Sequence, residues 1–266
     1  MPSSKPETTI DHDQRLLRVG ESEYALIRGF EPDGGDRPLM LKTPTMVARY
    51  LELLDEVAPE RIVEIGVFNG TSTAAIAEVC PDATIVAVEL NPVAPEFLTE
   101  FIERTGRQAT LRTHYGVDQS DTERIRAILD AELGDAPLDL VIDDASHQLG
   151  PTRASFELLF PRLRPGGVYV IEDWEVNQRF GRVERPAEEV EAMSAPEREL
   201  YDLLTARPLI ELPLQLLVAA GDGNDHVAGV RAGECMFEVV RGDTELDPVG
   251  FRVEDLYDDH LGVLRR

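Results

Sequence analysis

The alternation of apolar and polar positions changes character at about residue 41. Residues 1 to about 12 are polar and are expected to be loosely attached, and a Gly- and Asp-rich stretch from Gly29 to Pro38 separates a short leading segment from the main body. Thr43-Pro44 reads as an N-cap followed by the first helical residue, where a missing N–H costs nothing, and opens an amphipathic helix through about Val57. From Arg61 onward short apolar runs alternate with helical patterns. Strands are predicted at Ile62–Ile65, Thr84–Glu89, Ala109–Thr113, Leu138–Asp143 and Val168–Ile171, and helices near Ser72–Glu78, Pro95–Arg104, Thr122–Leu133 and Thr152–Leu163. Such alternation implies a parallel sheet covered by helices on both faces. Pro165-Gly166-Gly167 is read as the turn entering the fifth strand.

Beyond Trp174 the texture differs. Arg182–Glu191 is charged, a helix is predicted from Pro196 to about Ala206, and Val227–Val230 with Cys235–Val240 reads as a hairpin. Five strands plus the hairpin give an α/β fold with a mostly parallel, seven-stranded sheet and an antiparallel C-terminal pair. The expected division is an extension over residues 1–40 and one domain over 41–266, with the insertion at 175–195 a candidate lid.

Charge narrows the partners. The chain holds 26 basic and 51 acidic residues, a net charge of −25, and so strongly negative a surface repels nucleic acid and anionic membranes. A small, neutral substrate fits better. Cys80 and Cys235 lie far apart, which speaks against a disulfide framework or zinc site. No apolar run approaches the roughly 18 residues of a membrane span, and the N-terminus lacks the apolar core of a signal peptide. A cytoplasmic location is expected.

Val63-Glu64-Ile65-Gly66-Val67-Phe68-Asn69-Gly70-Thr71-Ser72 ends the first strand of the alternating region and opens a helix. Glycines at 66 and 70 let the chain turn tightly and bring backbone N–H groups close to a ligand. Glu89 ends the second strand, where a carboxylate can accept ribose hydroxyls. A dinucleotide dehydrogenase would carry G-x-G-x-x-G; here the spacing is G-x-x-x-G, with Glu64 two residues before the first glycine. Against this stands the bland reading, a turn and nothing more.

The next strand tips carry acids. Asp143-Asp144-Ala145-Ser146-His147 follows one apolar strand, and Glu172-Asp173-Trp174 follows another. Ligands of doubly wound sheets bind at the carboxyl ends of strands, and neighbouring strands lie about 5 Å apart. Asp144, Glu172 and Asp173 are therefore expected to converge on one point, as hard oxygen donors suited to Mg²⁺. In a chain with this many acids adjacent pairs also arise by chance, and Glu188-Glu189, Glu254-Asp255 and Asp258-Asp259 are read that way. His147 either reaches a hydroxyl held by the same ion or simply faces solvent at a helix start.

At these residues the chain resembles the metal-dependent sugar O-methyltransferases of macrolide biosynthesis, on a scaffold shared with cephalosporin-hydroxylase-like proteins. The resemblance rests on Glu64-x-Gly66-x-x-x-Gly70, Asp143-Asp144-x-Ser146-His147 and Glu172-Asp173, with Lys42-x-Pro44 similar to the hydroxylase-like group. It spans roughly Leu41 to Trp174. It implies a Rossmann-like class I methyltransferase fold, with S-adenosylmethionine bound by Glu64, Gly66, Phe68, Gly70, Thr71, Ser72, Glu89, Asp118, Gln119 and Asp143. Asp144, Glu172 and Asp173 would bind Mg²⁺ or another divalent cation, and His147 would serve as general base beside Asp144. The implied acceptor is a saccharide hydroxyl, and the implied assembly a homo-oligomer, with a dimer favoured. The sequence leaves three alternatives: a catechol-like acceptor, a cofactor-binding protein without transfer activity, and an NAD-linked oxidoreductase.

Overall fold

The computed structural model describes residues 5–27, 37–176, 185–205, 207–223 and 225–257. The chain divides into two compact units, Met1–Ala145 and Ser146–Arg266.

In the first unit, β1 (Thr8–Asp11), β2 (Leu16–Val19), β3 (Ser22–Leu26) and β4 (Leu39–Met40) form a four-stranded sheet in that order. The leading segment is thus more ordered than its polarity suggests. Thr8–Asp11 pairs antiparallel with Leu16–Val19, so a partner strand supplies the hydrogen bonds that local sequence does not advertise. Leu16, Leu17, Val19, Tyr24, Ala25 and Leu26 are all buried, and the Ser22 and Tyr24 hydroxyls each donate to the Glu78 carboxylate at 2.7 Å.

Helix α1 (Pro44–Val57) begins where the sequence places it: the Thr43 side chain accepts from the Met46 N–H at 3.2 Å, and Pro44 takes the first position. Its buried residues Met46, Val47, Tyr50, Leu53, Leu54 and Val57 recur at helical spacing. It ends at Ala58 in the left-handed conformation. Next come β5 (Arg61–Ile65), α2 (Thr71–Val79), β6 (Thr84–Glu89), α3 (Glu96–Thr105), β7 (Leu111–Tyr115), α4 (Thr122–Leu133) and β8 (Leu138–Asp143). The third of the predicted strands starts two residues later than its hydrophobicity suggests, after a turn in which Leu111 N–H donates to Arg107 O.

All four of these strands are parallel, in the order β8-β5-β6-β7. Ile65 lies opposite Val88 and Asp143, and Glu89 opposite Tyr115. The carboxyl ends of four strands thus share one edge. That edge is where this topology places a ligand.

The second unit holds α5 (Leu149–Leu159), β9 (Leu163–Glu172), α6 (Ala187–Glu191), α7 (Ala195–Thr205), α8 (Glu211–Gly221), β10 (Val227–Gly233) and β11 (Met236–Arg241), with a 3₁₀ turn at Val253–Leu256. Helix α8 escapes the pattern analysis because its sequence is apolar nearly all round, which removes the periodicity that marks a helix. The predicted hairpin is present, with β11 pairing antiparallel to both β10 and β9. An aromatic cluster organises this core: Phe156 lies 4.6 Å from Phe160 and 4.9 Å from Tyr169, ring centre to ring centre. This unit contributes its strands, in the order β10-β11-β9, to the seven-stranded, mostly parallel sheet. Residues 177–184 of the segment read as a candidate lid lie outside the described residues.

Candidate active site

The loop from β5 to α2 is shaped by backbone geometry. Gly66 has φ +92° and Gly70 φ +79°, both in the region that disfavours a side chain. A Cβ on Gly66 would lie 2.1 Å from the Asp144 carbonyl oxygen, and one on Gly70 would lie 2.5 Å from Leu98 Cβ. Phe68 also takes a positive φ, +51°, and its ring is exposed. Gly66 thus permits a close backbone approach, and Gly70 a close approach of the Leu98 side chain.

Side chains then brace the loop. Glu89, at the tip of β6, accepts the N–H groups of Val67 and Phe68 at 2.8 and 2.9 Å, and that of Asn91 at 2.8 Å. An ionised carboxylate offers about four acceptor positions, so Glu89 holds the turn and keeps capacity for a ligand hydroxyl. Asn69 donates to Leu39 O at 2.8 Å and accepts the Thr71 hydroxyl at 2.8 Å. Thr71, expected at the donor, is buried against this strut. Ser72 directs its hydroxyl to Glu64 Oε1 at 3.4 Å, and Glu64 is almost wholly buried.

On the neighbouring strand, Gln119 donates to Asp143 Oδ1 at 2.6 Å, and both side chains are buried. Asp118 instead accepts the hydroxyl and backbone N–H of Ser120. The hydroxyl is the larger of the two influences holding its carboxyl below the usual aspartate value.

Asp144 is held from two sides within the same unit. Its N–H donates to Ile65 O at 2.8 Å, and its Oδ2 receives the Lys42 ammonium at 2.9 Å. The Lys42 side chain is only 6% exposed, and its nitrogen lies 5.5 Å from the centre of the Tyr50 ring. Lys42 was not expected among the site residues. A signal for it exists: of 26 basic residues only Lys5 and Lys42 are lysines, and Lys5 forms an exposed pair with Asp55.

In the second unit, His147 and Asp173 come together, Nε2 to Oδ2 at 3.8 Å. Both adopt left-handed backbone conformations, with φ +52° and +48°. Such conformations gather where surrounding structure fixes a functional side chain. The Asp173 N–H donates to Cys235 O at 2.8 Å, the Cys235 N–H donates to Glu175 at 3.2 Å, and the Trp174 indole donates to Gly233 O at 3.3 Å. The turn between β10 and β11 therefore clamps the tip of β9. Trp174 packs 5.7 Å from Phe237 and serves that clamp. Glu172, the last residue of β9, is buried. His114, the penultimate residue of β7, pairs with Glu132 of α4 at 3.0 Å.

Comparison with known proteins places this architecture. Residues 63–174 match a family model described as a methyltransferase domain. Over 60 residues the chain is 48% identical to 8-demethyl-8-alpha-L-rhamnosyl tetracenomycin-C 2'-O-methyltransferase of Streptomyces olivaceus, covering 23% of this chain and 15% of that protein. Over 63 residues it is 49% identical to mycinamicin VI 2''-O-methyltransferase of Micromonospora griseorubida, covering 24% and 15%. These matches span under one fifth of the relatives' own length. The solved structure of the MycE methyltransferase from the mycinamycin biosynthetic pathway, in complex with Mg, SAH and mycinamycin VI, is similar at 25% identity with a TM-score of 0.50. It covers 77% of this chain and 50% of that one. Residues 63–174 are therefore similar to a methyltransferase domain, in a chain that has the class I O-methyltransferase fold and is similar in sequence, over short stretches, to these two O-methyltransferases.

Proposed function

We propose that this protein transfers a methyl group from S-adenosylmethionine to a saccharide hydroxyl, assisted by a divalent cation, in the first instance Mg²⁺. The observation that carries the reading is the shared edge of four parallel strand tips, where a glycine-built turn meets Glu64, Glu89, Asp143 and Asp144. The residues fit the donor. Backbone N–H groups at a turn opening a helix suit its carboxylate, the buried acids suit its positive charge, and Glu89 suits its ribose. Phe68, Gly70, Thr71, Ser72, Asp118 and Gln119 complete the proposed donor site.

For the cation we assign Asp144 and Asp173, with Glu172, as the oxygen donors. Asp144 precedes His147 by three residues, and His147 approaches Asp173 within one unit; together these three groups have the chemistry to hold an ion. When bound, such an ion stabilises developing alkoxide on the acceptor. His147 takes the hydroxyl proton. Glu64 and Asp143 orient the donor. The saccharide acceptor rests on the relatives' names, the two curated proteins acting on sugar-bearing natural products, and Mg on the MycE complex. No described helix is long and apolar enough to cross a membrane. The reading includes a cytoplasmic homodimer and a functional division into residues 1–40 and 41–266.

The test pairs binding with turnover. Calorimetry is expected to show S-adenosylhomocysteine binding and no NAD binding. Turnover on a panel of glycosylated acceptors and catechols should stop in EDTA and return with Mg²⁺. Replacing His147 with alanine is expected to lower turnover by about 10²-fold or more while S-adenosylhomocysteine still binds. Turnover undiminished by chelator would remove the cation from the mechanism, and transfer to catechols alone would move the acceptor class.

A further inference from the structure

We propose that Lys42 is a positioning residue, a built-in counter-charge to Asp144 that keeps the cation site assembled when no divalent ion is bound. The proposal rests on the preceding assignment of Asp144 to the cation. It adds a residue from outside the matched methyltransferase domain, which begins at residue 63.

Three observations converge on it. An almost wholly buried ammonium, 2.9 Å from Asp144 Oδ2, is stable only while it keeps a counter-charge. Asp144 supplies such a counter-charge, bonded to Lys42 through that oxygen. The remainder of Asp144 is fixed independently, by the bond from its N–H to Ile65 O and by the absent side chain at Gly66. The segment that carries Lys42 also braces the donor loop, since Leu39 O receives the Asn69 amide, which in turn accepts the Thr71 hydroxyl. Residues 39–42 thus hold the donor turn at one end and the acid at the other.

The identity of the residue follows from its surroundings. A compact ammonium sits between the Asp144 carboxylate and the Tyr50 ring, where the guanidinium used at nearly every other basic position would bring a broader, planar group. Its consequence for metal binding has a definite sign. A fixed positive charge beside a ligand opposes a second cation, so Lys42 holds divalent affinity down and makes the ion exchangeable. In its absence, Asp144 is a carboxylate with its nearest positive charge removed, and the ion-free protein loses stability that a divalent ion restores.

The experiment uses the full chain and Mn²⁺ as the probe, with affinity read by electron paramagnetic resonance and thermal unfolding followed with and without Mg²⁺. Lys42→Met and Lys42→Gln are both expected to bind Mn²⁺ more tightly, on the order of tenfold, the effect of one elementary charge a few ångströms away in a water-like medium. Both should melt lower than wild type without the ion and recover more than wild type when it is added. S-adenosylhomocysteine affinity without metal should stay within about twofold, because one charge outside the donor turn is changed. Unchanged or weaker Mn²⁺ binding in a folded Lys42→Met or Lys42→Gln protein overturns the proposal, as does failure of both variants to fold, which would make Lys42 a core residue only. A wild-type protein that takes up no Mn²⁺ overturns the cation reading as well, so the two failures are distinguishable.

Discussion

At Gly66 the backbone turns with φ +92° while the Asp144 carbonyl closes over it, 2.1 Å from where a Cβ would stand. Strain and overlap act together there, and neither neighbour is a flexible side chain that can move aside. Gly66→Ala is expected to cost roughly 3 kcal/mol or more, at the severe end for single substitutions, and to abolish S-adenosylhomocysteine binding. Urea unfolding and calorimetry on the same preparation check this, and a variant as stable as wild type would show that the turn relaxes. His147 and Asp173 carry smaller strain of the same kind, since His and Asp enter the left-handed region more readily than most residues. The strand-tip acids and His147 were legible as residues of interest from their position after apolar runs. Lys42 was legible as part of Lys42-x-Pro44 and as an oddity of composition, but its pairing with Asp144 was not, because that partner lies about a hundred positions away and sequence spacing carries no information at that range.

Elements are joined by a few polar contacts whose response to pH can be worked out. Glu157 on α5 accepts the Val253 N–H at 3.2 Å, and Arg153 of the same helix pairs with Glu254 at 2.6 Å, so the Val253–Leu256 turn is docked on α5. Burial raises the Glu157 carboxyl above its ordinary value, more than the Val253 N–H and the arginines lower it. With the folded value raised, the folded state holds the proton more firmly than the unfolded chain. The stabilisation is therefore full below the ordinary glutamate value and is lost as pH rises through the folded one. Glu157→Gln, which cannot ionise, is expected to gain stability relative to wild type between pH about 4 and 7. Thermal melts across that range decide it, and a difference independent of pH would contradict the assignment. Element positions in the alternating region followed the sequence to within a few residues, since periodicity and caps such as Thr43 are local, except that β9 begins at Leu163 and takes in Pro165-Gly166-Gly167, read from the sequence as a turn. Thr8–Asp11 and Glu211–Gly221 did not, one being stabilised by a distant strand and the other lacking a polar face.

For the molecule as a whole, the net charge of −25 is the dominant long-range term. Like charges spread over a folded surface repel, and unfolding relieves that repulsion. Raising NaCl from about 10 mM to about 200 mM shortens the screening length from roughly 30 Å to under 10 Å. The melting temperature is expected to rise over that interval, with divalent ions effective at far lower concentration if the cation site is occupied. Scanning calorimetry with NaCl and MgCl₂ series separates the two, and a melting temperature that falls with NaCl would mean that attractive pairs outweigh the repulsion.

The sequence by itself determined the α/β class, the order of its alternating strands and helices, the glycine turn and the acids at the strand ends. Each of these depends on neighbours within about ten positions, where hydrophobic period, capping and turn chemistry act directly. Only the tertiary structure decided that the leading segment forms a sheet, that Leu39 braces the donor loop, that Lys42 meets Asp144 and that a hairpin turn clamps Asp173. Those contacts join residues far apart in the chain, and burial rather than local preference selects them.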